Sequence, residues 1–160
     1  MKLRYNYIIS FAISIIFSGC HLFESTKVPA KEIKAASSWT DKDQGPSFPE
    51  CETIEDGQQK YLCFESIISN SILDYITDNP LESTEYISEE VSLVLKIDNE
   101  GYFSIIEVIR SSAMDNAIPN LEDQLQSAVS VIPKAEPALK TNVGAFVSTK
   151  LVLPIMIIAE

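Results

Sequence analysis

The stretch VSLVLKIDNEGYFSIIEVIR, residues 91–110, decides the fold. Val91, Leu93, Leu95 and Ile97 alternate with Ser92, Val94 and Lys96, the period-two pattern of a strand with one buried face. Asp98-Asn99-Glu100-Gly101 then reads as a turn, with glycine where a positive φ is needed. Tyr102 to Arg110 is rich in β-branched residues and predicts a second strand, antiparallel to the first. A lone hairpin is marginal in water, so its apolar face must be covered by elements on either side of it in the chain.

Upstream, Asp56 and Gln59 have the spacing of a capping box, followed by Tyr61, Phe64, Ile68, Ile72, Tyr75 and Ile76 at helical spacing. The pattern predicts a helix from Gln58 to Asp78, ended by Asn79-Pro80. Downstream, Leu121, Leu125, Ala128, Val129 and Ile132 form one stripe of a helix over Asn120 to Ile132, which Pro133 stops. A last strand is expected from Gly144 to Ile158, with Pro154 at an edge or a bulge because it cannot donate a ladder hydrogen bond. The order α-β-β-α-β predicts an α+β fold: two layers, with two helices packed on one face of a three-stranded antiparallel sheet.

Charged residues around these elements read as solvated. Glu82, Glu85, Glu89 and Glu90 fall between the first helix and the hairpin, and Glu107 and Arg110 on the second strand are placed to pair with neighbours.

The N-terminus is of another character. Lys2 and Arg4 precede an apolar run from Tyr7 to Phe17 of about 11 residues, against roughly 20 for a membrane-spanning helix. The run stops at Phe17-Ser18-Gly19-Cys20, which resembles the lipobox of bacterial lipoproteins, although Phe17 stands where leucine is commoner. The expectation is a signal peptide over 1–19, a lipid on Cys20, a flexible tether over 20–49 and a domain over 50–160. His21 to Ser25 carry no acidic run, which favours the periplasmic side over surface display. Trp39 stands alone in the polar tether, and docking on the domain's own surface is its simplest role.

With Cys20 assigned to lipid, Cys51 and Cys63 are left to pair in an oxidising compartment. A bridge closing a loop of about 13 residues would stabilise by about 3 kcal/mol. A metal site is not expected, because His21 is the only histidine and sits beside the lipid position. A catalytic thiol would need a base, and none is evident. The chain has 12 Lys+Arg against 23 Asp+Glu, a net charge of −11, and loss of Lys2 and Arg4 with the leader would make it more acidic still. That balance argues against nucleic acid, which needs a positive face. No phosphate-cradling glycine loop and no candidate catalytic constellation is present, so neither an enzyme nor a cofactor nor a small-molecule substrate is expected.

Taken together, residues 91–112, the amphipathic helix, VIPKAEPAL and VSTKLVLPIMI resemble the C-terminal domain of TonB in the divergent form common in Bacteroidota, over about Pro46 to Ile158. The lead-in PSFPECETI with YLCFESIISNSI is also similar to such proteins. The resemblance implies a contact domain that pairs, by strand addition, with another envelope protein or peptide, such as an outer-membrane receptor segment. By analogy the contact falls on the last strand, with Val147, Thr149, Leu151 and Val152 as candidates. TonB proteins of the energy-transducing kind also carry an inner-membrane helix and a long Pro-rich span. Here the leader reads as cleaved and lipidated and the tether is short, so a lipid-anchored binding module is expected before an energy transducer.

Overall fold

A computed structural model describes residues 38–160. Trp39–Glu160 form one compact unit. The expected leader, Cys20 and His21 lie outside the described residues.

The first helix, α1, spans Gly57–Asp78 and is capped by Asp56, whose carboxylate accepts from the Gln59 amide at 2.8 Å. Phe64, Ile68 and Ile72 make its buried stripe, and Asn79 closes it with an N–H bond to the Tyr75 carbonyl just before Pro80. Strand β1 covers Ile87–Ile97 and β2 covers Phe103–Ile109. Between them Gly101 has φ 94°, and Asp98 Oδ1 accepts from the amides of Glu100 and Tyr102, each at 2.9 Å. The Tyr102 amide is the main cause holding the Asp98 carboxyl below its ordinary range, against the opposing effect of burial.

The hairpin register pairs Val94 with Glu107 but Leu95 with Ile105, leaving Ile106 as a bulge. The extra residue resets the phase of β2, so that Phe103, Ile105 and Val108 all pack against the core while Ile106 and Ile109 stay exposed. β1 begins earlier than its alternation alone suggested. Glu89 and Glu90 therefore lie in the strand and not in a connecting loop, Glu89 accepting a hydrogen bond from the Ser111 hydroxyl.

Two helices follow where one was expected. The short α2, Ser112–Ala117, is capped by Ser111 and buries Met114 and Ala117. Next, α3 spans Leu121–Ser130 and buries Leu121, Leu125, Ala128 and Val129. Arg110 joins the end of β2 to both, through Asp115 and, at 3.2 Å, Glu122. The expected last strand is also two strands. β3, Ala138–Lys140, pairs antiparallel with β4, Ala145–Val147, and only after Ser148 does β5, Thr149–Ala159, join the main sheet.

The main sheet is antiparallel in the order β2-β1-β5, with α1 and α3 packed on its buried face. The fold is α+β as expected, with a third short helix and a second, two-stranded sheet added. The 3-10 turn Pro49–Cys51 is held to α1 by the disulfide Cys51–Cys63, Cα atoms 5.8 Å apart. Phe48 beside it is buried against Phe64 and Phe103, ring centroids 5.1 and 6.2 Å away.

The boundary between tether and domain moves accordingly. Ser47 exchanges two main-chain hydrogen bonds with Glu136, at 3.1 and 2.8 Å, and Gln44 exchanges two with Leu139, at 3.0 and 2.9 Å. Residues 44–48 are thus strapped to the β3 segment and belong to the domain, although their Pro, Ser and Gly content read as linker.

Candidate functional site

Strand β5 is both an edge and an apolar surface. Asp98 N–H donates to the Tyr102 carbonyl at 3.0 Å, so even-numbered residues of β1 turn their main-chain groups toward β2 and odd-numbered ones toward β5. In the β1–β5 register Leu93 faces Leu153 and Ser92 faces Pro154. Residues 151, 153, 155 and 157 therefore bond to β1, and the main-chain groups of residues 150, 152, 154, 156 and 158 point to the free edge. The proline nitrogen is among the latter, which is why Pro154 costs the ladder nothing. It also leaves one gap in the row of free donors, a device that discourages indiscriminate edge pairing.

The side chains divide the same way. Leu151, Leu153, Ile155 and Ile157 are core, while Val152, Met156 and Ile158 are 56%, 53% and 61% exposed on the open face of the sheet. Ile106 and Ile109 are bare on β2 as well. The run LVLPIMII, residues 151–158, is apolar at every position, the pattern of a strand covered on both faces, yet the described residues cover only one.

The four residues expected to make the partner contact do not form one surface. Val147 is half-buried in β4 opposite Ala138, Leu151 is core, and Thr149 begins β5 with its side chain turned inward. Val152 alone is presented to solvent as a contact residue should be. Met156 and Ile158 were missed, and the signal for them was the unbroken apolar run.

At the start of β5 lies a cavity of about 1170 Å³. Its walls come from residues 44–47, the first two turns of α1, the ends of β1 and β5, and the β3–β4 hairpin. Trp39, Tyr61 and Phe146 stand around it, and Lys140 places its ammonium 5.1 Å from the centre of the Trp39 ring. Lys60 bonds to Glu52 at 2.8 Å, and this contact is the first cause holding the Glu52 carboxyl below its ordinary range, helped by the Ser47 hydroxyl.

Behind the cavity, Asp43 accepts from the amides of Thr40 and Thr141, both at 2.9 Å, and from the Thr141 hydroxyl at 3.1 Å, with Lys140 Nζ at 3.4 Å. Burial works against its charged form, but these four contacts outweigh it and hold the Asp43 carboxyl at about 2. The network fixes Trp39 and the base of the β3–β4 hairpin.

Among the described residues no group of three or more His, Cys, Asp or Glu side chains could hold a metal ion. No helix among them is long and apolar enough to cross a membrane. The chain matches no protein-family model, no curated protein and no solved structure.

Proposed function

We propose that this chain is a non-enzymatic envelope lipoprotein, anchored through Cys20 on the periplasmic side, whose TonB C-terminal-like domain binds another envelope protein or peptide by strand addition to β5. The single observation that carries the binding reading is the free edge of β5, an eleven-residue strand with no neighbour on one side among the described residues and an apolar outward row of Val152, Met156 and Ile158. A partner strand gains main-chain hydrogen bonds along that edge, and its alternate side chains extend the apolar row across the sheet. The lipid reading rests on the leader and on cysteine use: with Cys51 and Cys63 bonded to each other, Cys20 remains over for another chemistry.

The test is photocrosslinking of the full chain in membranes of its native host, from a reactive residue at Met156 and, as a control, at Ser66 on α1. Strand addition predicts one discrete adduct from position 156, none from 66, and loss of the adduct on Val152→Pro. That substitution removes a donor from the free edge and leaves the β1 ladder intact. An adduct that survives Val152→Pro unchanged sinks strand addition. The intact mass of the extracted protein tests the anchor: a chain beginning at Cys20 with acyl groups is expected, and an unmodified chain from Met1 overturns it.

A further inference from the structure

We propose that the open face of the main sheet is where two copies of this chain pack against each other, sheet on sheet, with their strands antiparallel.

The composition of that face is ordered along the strands. Residues opposite each other in the register share a face, so Ser92 forms one row with Ile109 and Pro154, and Val94 forms the next with Glu107 and Val152. Beyond the Val94 row Lys96 stands opposite Lys150, and beyond the Ser92 row Glu90 stands opposite Met156, all four exposed. The centre is thus mainly apolar, with two lysines at one end and a glutamate at the other. Ile109, Val152, Met156 and Ile158 are each more than half exposed, an apolar patch that the described residues leave uncovered. Lys96, Lys150 and Glu90 make no ion pair among the described residues, and Lys96 has only a through-space attraction to Asp98.

This order is self-complementary under one two-fold axis. An axis in the plane of the face and along the strands would set lysine on lysine and glutamate on glutamate, which repel. An axis in that plane but across the strands, passing β1 at the level of Leu93, reverses them. It lays the Ser92 row of each copy on the Val94 row of the other, so that apolar side chains interdigitate as between two aligned sheets. Lys96 and Lys150 of each copy then meet Glu90 of the other, twice over by symmetry. Glu107 lies on the outer strand β2, where its carboxylate stays in water.

Three strands ~4.8 Å apart and eleven residues long at ~3.3 Å each make a face of about 14 by 36 Å, small against the roughly 800 Å² per partner of a standard interface. The dimer is therefore weak in dilute solution and forms where copies are held close together, as on a membrane surface. The proposal does not rest on strand addition, because the edge of β5 stays free when the faces meet. In the Met156 crosslinking an adduct of twice the chain's mass belongs to the second copy and is scored apart from an adduct to a different protein.

The test is a zero-length link. Lys96 and Glu90 are six residues apart on one strand, about 20 Å, and Lys150 is level with Lys96. A carbodiimide, which condenses an ammonium with a carboxylate into an amide and leaves as its urea, cannot join either lysine to Glu90 within one chain. Applied to the full chain in membranes of its native host, it should give a species of twice the monomer mass whose peptides include a link from Lys96 or Lys150 to Glu90. A photoreactive residue at Ser92, beside the axis, reads the contact without using those charges. Glu90→Lys alone, and Lys96→Glu with Lys150→Glu, should each lower its dimer yield at least ~10-fold, and the three changes together should restore it. Absence of both lysine links to Glu90, or a dimer yield indifferent to the charge reversals, overturns the proposal. So do links from Glu90 to Lys27, Lys31 or Lys34 within a single chain, which would put the chain's own N-terminal segment on this face.

Discussion

Gly101 and Ala135 are joined main chain to main chain: the Ala135 amide donates to the Gly101 carbonyl at 3.0 Å, and a Cβ on Gly101 would lie 1.8 Å from the Ala135 carbonyl oxygen. This contact pins the β1–β2 turn to the segment that leads into β3.

Gly101→Ala should therefore be severe. The residue has φ 94°, which alone costs an alanine about 1–2 kcal/mol, and the clash is with backbone that cannot rotate away. A loss of about 3–5 kcal/mol is expected from urea unfolding. Gly144→Ala is the control, because Gly144 has φ 63° but open space around it, so only about 1 kcal/mol should be lost. Equal losses at the two sites would mean that the Ala135 contact contributes nothing.

The disulfide clips the 3-10 turn Pro49–Cys51 to the second turn of α1, next to the buried ring of Phe48. Alkylation without reductant should label neither Cys51 nor Cys63, and reduction should lower stability by about 3 kcal/mol. Cys51→Ala with Cys63→Ala should reproduce the loss. A reduced protein as stable as the oxidised one would show that Phe48 and the Ser47–Glu136 hydrogen bonds hold this segment without help.

Much of this frame could be read from the chain, and the reasons it could be read explain what could not. Residues 91–110 carry a strict alternation, and α1 carries an apolar stripe with a cap and a stop, so both elements lie within a residue or so of expectation at the α1 termini and through the turn. Strands β3 and β4 are three residues each, too short for any period to show. Glu89 and Glu90 hid the first residues of β1, because charges at the start of an apolar alternation look like loop. Phe48 is one aromatic residue between Ser47 and Pro49, and no local pattern marks it as core. The cavity was illegible for a further reason: its lining comes from separate segments, and long-range pairings such as Gln44–Leu139, Ser47–Glu136 and Asp43–Thr141 bring the first of them to the others.

Acid should expose the Asp43 network. The folded-state pKa of Asp43 is lowered from the ordinary 3.8 to about 2. A depressed pKa means that the contribution is fully present above about pH 4 and is lost as pH falls through about 2. Urea midpoints measured from pH 5 to pH 2 should thus fall more steeply for the native chain than for Asp43→Asn. The variant should also be the less stable at neutral pH and should show altered Trp39 emission. Parallel curves in that window would remove Asp43 from the acid transition.

Thr149 carries a buried polar atom whose removal should help the fold. Its hydroxyl is buried without a partner at the head of β5, opposite Ile97, and valine has nearly the same shape without the polar atom. A buried hydroxyl that bonds to nothing in the protein weakens the fold, so Thr149→Val should raise stability by about 1 kcal/mol in urea unfolding. Both residues are β-branched, so strand preference does not offset the gain. If the hydroxyl instead served the fold through a contact of its own, the same change would lower stability.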